Sequence, residues 1–467
     1  MKVRFTHELL PLLVACTVSA SIPVKADMRV QNLRCEYLEN PVGVETLKPR
    51  LSWTLDSDVR GARQTAFQIL VASTADRLQQ DEGDLWDSGK VASDQSLNHS
   101  YAGSPLKSAM RCWWKVRVWD EAGAVSAWSA PAFWEMGLLH ASDWQPARWI
   151  RAPDALNPSV EPVPAPLLRT AFMIDKPVAR ARLYGTGLGF HELYLNGEKV
   201  GDQVLSPVFT QYEMRVCYLV HDVTAQLREG RNALGAMLGN GWYNQHAREV
   251  WQIHRAAWRD RPKLLCKLVI EFADGSHQVI ASGPDWRVAQ GAIRYDGIRN
   301  GETYDAREEK PGWATADFDD ASWLLAALAE PPAGALACES MPPVRVTQTL
   351  KPVTIKDIGA GRQIVDFGQN VTGWARLRVT GPAGTEIKLT YGERLLEDGG
   401  VSHQYLDKHV KSGGFQTDRY ILSGRENETW EPRFTYHGFR FVEISGYPGK
   451  LSAEDIAARV LRTDFSG

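Results

Sequence analysis

Asn240, Gly241, Trp242, Tyr243 and Asn244 put two aromatic rings between two primary amides in one short stretch. A sugar ring offers C–H groups that pack on an aromatic face and hydroxyls that need amide partners, so this stretch carries the chemistry of a carbohydrate contact. A plainer reading fits the same residues: Trp242 in a core and Asn240 holding a turn. Asn196, just before Gly197, supplies a further amide, and it is expected close to Asn240. The candidate substrate-binding residues are therefore Asn196, Asn240, Trp242 and Tyr243. Glu302 and Asp305, near Arg307, have the residue types of an acid/base pair. Charge pairs of this kind are common at surfaces, so a structural ion pair beside a strand is the expectation. Asp366 with Gln369 and Asn370 offers a polar cluster for a sugar. Gly368 and Asn370 suit positive φ and Asp366 can cap locally, which favours a simple turn.

The bulk numbers exclude some chemistry. Six cysteines are widely spaced, with no CxxC and no Cys/His cluster, so zinc is not expected. Cys35, Cys112, Cys217, Cys266 and Cys338 read as buried free thiols, with one disulfide left open. The 467 residues are 44% hydrophobic and 23% charged, with a net charge of −3 from well-mixed acids and bases. No basic stripe exists to neutralise phosphates, and nucleic acid is excluded as a partner.

The elements that must hold these residues read as strands. Short alternating runs broken by Gly, Pro, Asn and Asp fill most of the chain and predict tandem β-sandwiches or jelly rolls, an all-β fold. Helical turns are expected only at 223–229 and at 452–460, the latter opened by Ser452. A first module, 27–139, has strands at 64–72 and 111–120. Cys112, Trp114, Val116 and Val118 face its core, and Lys115 and Arg117 face water. Its Trp128-Ser129 pair and Pro131 give it the pattern of a fibronectin type III sandwich. Prolines at 153, 158, 162, 164 and 166 mark a linker. A second module, 140–334, has strands at 168–174, 179–185 and 192–196, with a hairpin turn at Asn196-Gly197. Pro331 and Pro332 close it. A third, 335–467, has strands at 363–367, 372–380, 386–393 and 439–444.

Residues 1–26 have the layout of a secretory signal: Lys2 and Arg4, an apolar run from Leu9 to Ala15, then small residues. Leu13-Val14-Ala15-Cys16 resembles a lipoprotein cleavage box, which would anchor Cys16 through lipid. Cleavage near Ala20 or Ala26 would release the chain instead. Either way the expectation is export, to the periplasm, to a tether at the outer membrane, or outside the cell.

Several motifs together resemble bacterial α-L-rhamnosidases, a glycoside hydrolase family. They are Pro49-Arg50-Leu51-Ser52-Trp53, the run Trp113 to Asp120, Glu192-Leu193-Tyr194-Leu195-Asn196-Gly197, Gly239-Asn240-Gly241-Trp242-Tyr243, Gly301 to Arg307, Phe318 to Trp323, Asp366-Phe367-Gly368-Gln369-Asn370, and Tyr436 to Phe441. Each is moderately specific, and their shared order carries the resemblance over nearly the whole chain after residue 26. It implies a fibronectin type III-like module, then a carbohydrate-binding-like and a concanavalin-like β-sandwich, and a parent activity of hydrolysing terminal α-L-rhamnosyl groups by inversion. In the family the acid and base are carboxylates of a helical (α/α)6 barrel that follows these modules, so no catalytic residue is assigned here. The resemblance also implies a partner, an L-rhamnose-containing carbohydrate. Some relatives bind rhamnose through calcium, using an Asp-Asn pair and a further Asn. Asn196 and Asn240 match that set, but Leu195 stands where the aspartate belongs, and calcium prefers anionic oxygens. No cofactor is expected, with calcium left open. Two rivals stand beside the rhamnosidase reading: an exported carbohydrate-binding protein without chemistry, and a scaffold for a separate catalytic chain.

Overall fold

The computed structural model describes residues 28–156, 164–404 and 406–465. The leader, with Cys16, lies outside these residues, as does much of the proline-rich stretch. The fold is almost entirely β, as the alternation predicts. The chain divides into two compact units. Among the described residues, one holds those up to Pro41, Thr46–Leu106 and Arg111–Glu135, and the other holds Val42–Glu45, Lys107–Met110 and those from Met136 on.

The first unit is a sandwich of two sheets. Met28–Cys35 pairs with Arg50–Ser57, and Ala66–Ala72 pairs with Arg111–Trp119. Cys112, Trp114, Val116 and Val118 are fully buried, the face the alternation assigns to the core. Lys115 departs from expectation. It is only 7% exposed, because its ammonium group is drawn to the Leu78 carbonyl and to Asp81 and lies 5.0 Å from the Trp128 ring. Arg117 stacks on the same ring at 4.5 Å. The Trp-Ser segment also finishes a strand edge: Ser129 and Ser126 hydroxyls accept from the Val116 and Val118 amides.

In the second unit, Val178–Leu188 and Lys263–Phe272 lie at the centre of one sheet, and Phe190–Leu195, Gly230–Gly239 and Pro166–Ile174 lie in a second. Leu168, Leu183, Leu193, Leu234, Leu268 and Trp286 belong to one buried cluster drawn from both. The large remaining sheet is built on Arg362–Val379, which pairs with His437–Ser445 and Ile456–Thr463.

Two expectations are corrected here. The boundary near 334 is not a structural one. Ala335–Cys338 pairs in parallel with Arg215–Asp222, and Gly301–Asp305 pairs in parallel with Thr417–Ile421. The second module's sheet therefore runs past 334, and Gly301–Asp305 joins the third module's sheet. The stretch 452–460 is not helical: Ser452 and Asp455 form a hydrogen-bonded turn and Ile456–Thr463 continues as a strand. Sheet pairing overrides a favourable N-cap residue there. The other expected helix is one 3₁₀ turn, Thr224–Gln226. All five described cysteines are free thiols, four of them buried.

Candidate functional site

The glycine-rich corner after Gly230–Gly239 sets the geometry. A Cβ on Gly239 would run into the Phe434 ring, and Gly241 sits at φ +51°, so the chain turns tightly and delivers Trp242 to the surface. Trp242 is half-buried and lines a cleft of about 360 Å³ with Phe190, Leu205, Phe209, Tyr436 and Glu339. Its ring lies 5.6 Å from that of Phe209. Apolar walls with a few polar groups at the rim suit a small, ring-shaped ligand.

The other three predicted residues do different work. Asn240 is 2% exposed; its backbone amide and Nδ2 donate to the Asp296 carboxylate at 2.8 and 2.9 Å, and its Oδ1 accepts from Asn244. Both ends of that amide are consumed inside the protein. Tyr243 is 3% exposed, edge-on to Tyr212, and burial raises its hydroxyl pKa. Asn196 sits at φ +53° in the hairpin turn; it donates to the Gln226 carbonyl and to Asn232, and accepts from the Ala233 amide. It is also remote. Phe190 pairs with Gly239 and Leu195 with Leu234, so Asn196 and Asn240 mark opposite ends of one strand pair. Seven residues of strand separate them, roughly 20 Å. The expected proximity is thus overturned by register, and only Trp242 of the four reaches the cleft.

That separation also bears on calcium. Leu195 is fully buried in the core and both Asn196 amide atoms are engaged, so these residues do not fit a calcium site. Among the described residues no group of three or more His, Cys, Asp or Glu is placed to hold a metal ion.

The carboxylates separate sharply by environment. Asp305 and Arg307 form the expected ion pair at 2.8 Å. Glu302 does not join it. It is fully buried, accepts from the Arg433 and Phe434 amides, and its pKa is pushed up to about 8 by burial. Asp296, also sealed, is raised by burial to about 7. Asp418 accepts from the Glu302 amide and pairs with the buried His437 at 3.0 Å. These acids reach no cleft and cannot flank a sugar bond. Asp366 is held by Arg440 through two bonds and accepts from the Gly368 amide, the local turn chemistry expected of it.

Sequence reasoning missed Phe209, Tyr436, Arg299 and Trp251 around this region. Phe209, Tyr436 and Trp251 are exposed aromatics, and Arg299 stacks on Trp242 at 5.4 Å and on Trp251 at 4.2 Å. Spacing alone does not bring residues 209, 242, 299 and 436 together.

Three family models match in order: an Ig-like domain described as "Rha78A-like, N-terminal immunoglobulin domain" over residues 30–140, an alpha-L-rhamnosidase N-terminal domain over 176–348, and a bacterial alpha-L-rhamnosidase concanavalin-like domain over 356–462. An alpha-L-rhamnosidase of Formosa agariphila is 35% identical over 447 residues, covering 91% of this chain and 47% of that protein. One from Streptomyces avermitilis is 32% identical, covering 93% and 57%. A crystal structure of a Streptomyces avermitilis alpha-L-rhamnosidase complexed with L-rhamnose superposes with a TM-score of 0.87 at 32% identity, covering 93% of this chain and 57% of that one. The α-L-rhamnosidase from Dictyoglumus thermophilum gives 0.86 at 39% identity, covering 93% of this chain and 49% of that one. The chain spans about half the length of the relatives it matches.

Proposed function

The chain belongs to the bacterial α-L-rhamnosidase family, whose N-terminal, non-catalytic β-domains it carries, and from that premise we propose that it serves an exported enzyme hydrolysing terminal α-L-rhamnosyl groups of glycans. The observation that carries this reading is the ordered match of three domains, superposing over 93% of the chain on two α-L-rhamnosidases. On this reading the described β-domains do no bond cleavage themselves. Glu302 and Asp296, the acids with the most perturbed environments, are sealed from solvent, while inverting hydrolysis needs two carboxylates across a sugar ring with room for water. The Trp242 cleft is the rhamnose contact, an apolar ring face with Glu339 at its edge. Export rests on the charged-then-apolar leader, and the lipid tether on Cys16; mass spectrometry of the mature N-terminus decides between a lipidated Cys16 and a chain starting at Ser21 or Asp27.

The test is direct. The purified chain releases no aryl alcohol from an aryl α-L-rhamnoside, yet binds L-rhamnose weakly, on the order of 0.1–1 mM, as suits a small ligand. Trp242→Ala loses that binding while still melting cooperatively. Turnover abolished by mutating an Asp or Glu of this chain would sink the non-catalytic reading, and unchanged binding in Trp242→Ala would move the sugar elsewhere.

A further inference from the structure

Beyond the cleft, Trp242 shares a cation with a second ring. The Arg299 guanidinium carbon lies 5.4 Å from the Trp242 ring centre and 4.2 Å from that of Trp251. Its Nε donates to Glu249 at 2.7 Å, and Glu249 is itself buried. Among the described residues its two terminal nitrogens have no protein partner. Trp251 is 54% exposed. It is held in place by backbone pairing of its loop with a second one: Glu249 bridges Val410, Val250 donates to the His409 carbonyl, and Lys411 donates to the Arg248 carbonyl. The paired loops expose Arg248, Lys408 and Lys411 against one exposed acid, Asp407. A preorganised guanidinium fork, flanked by two indoles and set in positive surroundings, matches a planar or tetrahedral oxyanion carried on a ring.

We propose that Arg299, between Trp242 and Trp251, forms a subsite for an anionic sugar residue, one bearing a carboxylate or a sulfate ester. The indoles, which also lie against Phe209 and His409, hold the guanidinium plane in place, and the guanidinium supplies paired donors to the oxyanion. A neutral sugar leaves those donors to water, which is the origin of the selectivity. The subsite adjoins the rhamnose cleft through Trp242 but uses different chemistry, so it stands or falls separately.

Calorimetric titration of the whole chain at fixed ionic strength tests it, with D-glucuronate, D-glucose 6-sulfate, D-glucose and inorganic sulfate as probes. At least one charged sugar is expected to bind ten-fold or more tightly than glucose, and the tighter of the two identifies the group recognised. Trp251→Ala, at an exposed position, is expected to weaken that binding about ten-fold while L-rhamnose binding stays unchanged. Arg299→Lys, which keeps the charge without the fork, is expected to weaken it several-fold. Equal binding of glucose and both charged sugars overturns the proposal, as does charged-sugar binding indifferent to Trp251→Ala. Inorganic sulfate binding as tightly as either charged sugar would reduce the site to an adventitious anion contact. Joint loss of rhamnose and charged sugar in Trp251→Ala would make the two a single site and overturn it too.

Discussion

A carboxyl group carried into a site without water holds its proton longer, and Glu302 and Asp296 are in that position. Burial is the largest cause for both, and for Glu302 the neighbouring Asp418 and Asp296 add to it against the opposing pull of Arg433. Their folded pKa values, about 8 and about 7, lie above the ordinary 4.5 and 3.8. Between those limits these two groups hold protons in the folded chain that they have released in the unfolded one, so their contribution to stability falls as pH rises from about 4 to about 8 and is flat above. Each acid contributes on the order of a few kcal/mol to that fall. Glu302→Gln, which keeps an oxygen to accept from the Arg433 and Phe434 amides, is expected to flatten the upper part of the decline. Melting temperatures at pH 5, 7 and 9 check it; identical slopes for both proteins would remove Glu302 from the account. At this scale the sequence was only partly legible. The Asp305–Arg307 pair and the Asp366 turn follow from neighbours two residues apart, within reach of local rules. The burial of Glu302 depends on Asp418, Arg433 and His437, more than a hundred residues away, and no local pattern carries that.

Elements were read well where one face is buried and poorly where a strand is fed by a turn. The 111–119 strand shows its alternation plainly because its inner face has no water to tolerate a polar residue. Ile456–Thr463 was hidden behind a serine that suits a helix start, since N-cap chemistry and a Ser-Asp turn use the same hydrogen bonds. The proline pair at 331–332 looked like a domain boundary, yet Ala335–Cys338 after it completes the second module's sheet and Gly301–Asp305 before it joins the third module's. A chain ended at Gly334 would therefore lose the Ala335–Cys338 edge and leave Gly301–Asp305 without its Thr417–Ile421 partner, with Glu302 stripped of the amides it accepts from. Such a chain is expected to aggregate or to melt without cooperativity, because buried polar groups and strand edges would both be opened. Circular dichroism melting of residues 27–334 beside the whole chain tests this, and a sharp, reversible transition in the shorter chain would show these strand pairings to be dispensable.

At the scale of the whole molecule, the point at which the first module gives way to the second is also not a clean cut. The larger unit takes Val42–Glu45 and Lys107–Met110 from within the first module's sequence. Those short pieces make specific bonds inside that unit. Tyr218, fully buried, donates to Glu45 at 2.8 Å and accepts from the Leu138 amide, Ser108 donates to Asp143, and Gly137 donates to the Val44 carbonyl. The family resemblance supplied the order of modules but could not show this borrowing, since motifs are matched along the chain and borrowed segments are short. A chain beginning at residue 140 would lack both Glu45 and the Leu138 amide, leaving the buried Tyr218 hydroxyl with neither partner, and Asp143 would lose Ser108. An unmet buried hydroxyl costs about 1–3 kcal/mol, so the shortened chain is expected to melt several degrees lower even though every strand from Pro166–Ile174 onward is present. Tyr218→Phe in the shortened chain separates this cause from general truncation: it removes the orphaned hydroxyl and is expected to recover part of the loss, whereas in the whole chain the same substitution destabilises by about 1 kcal/mol because it breaks satisfied bonds. Opposite signs in the two backgrounds would establish that the larger unit is completed by residues lying within the first module's sequence, and equal signs would refute it.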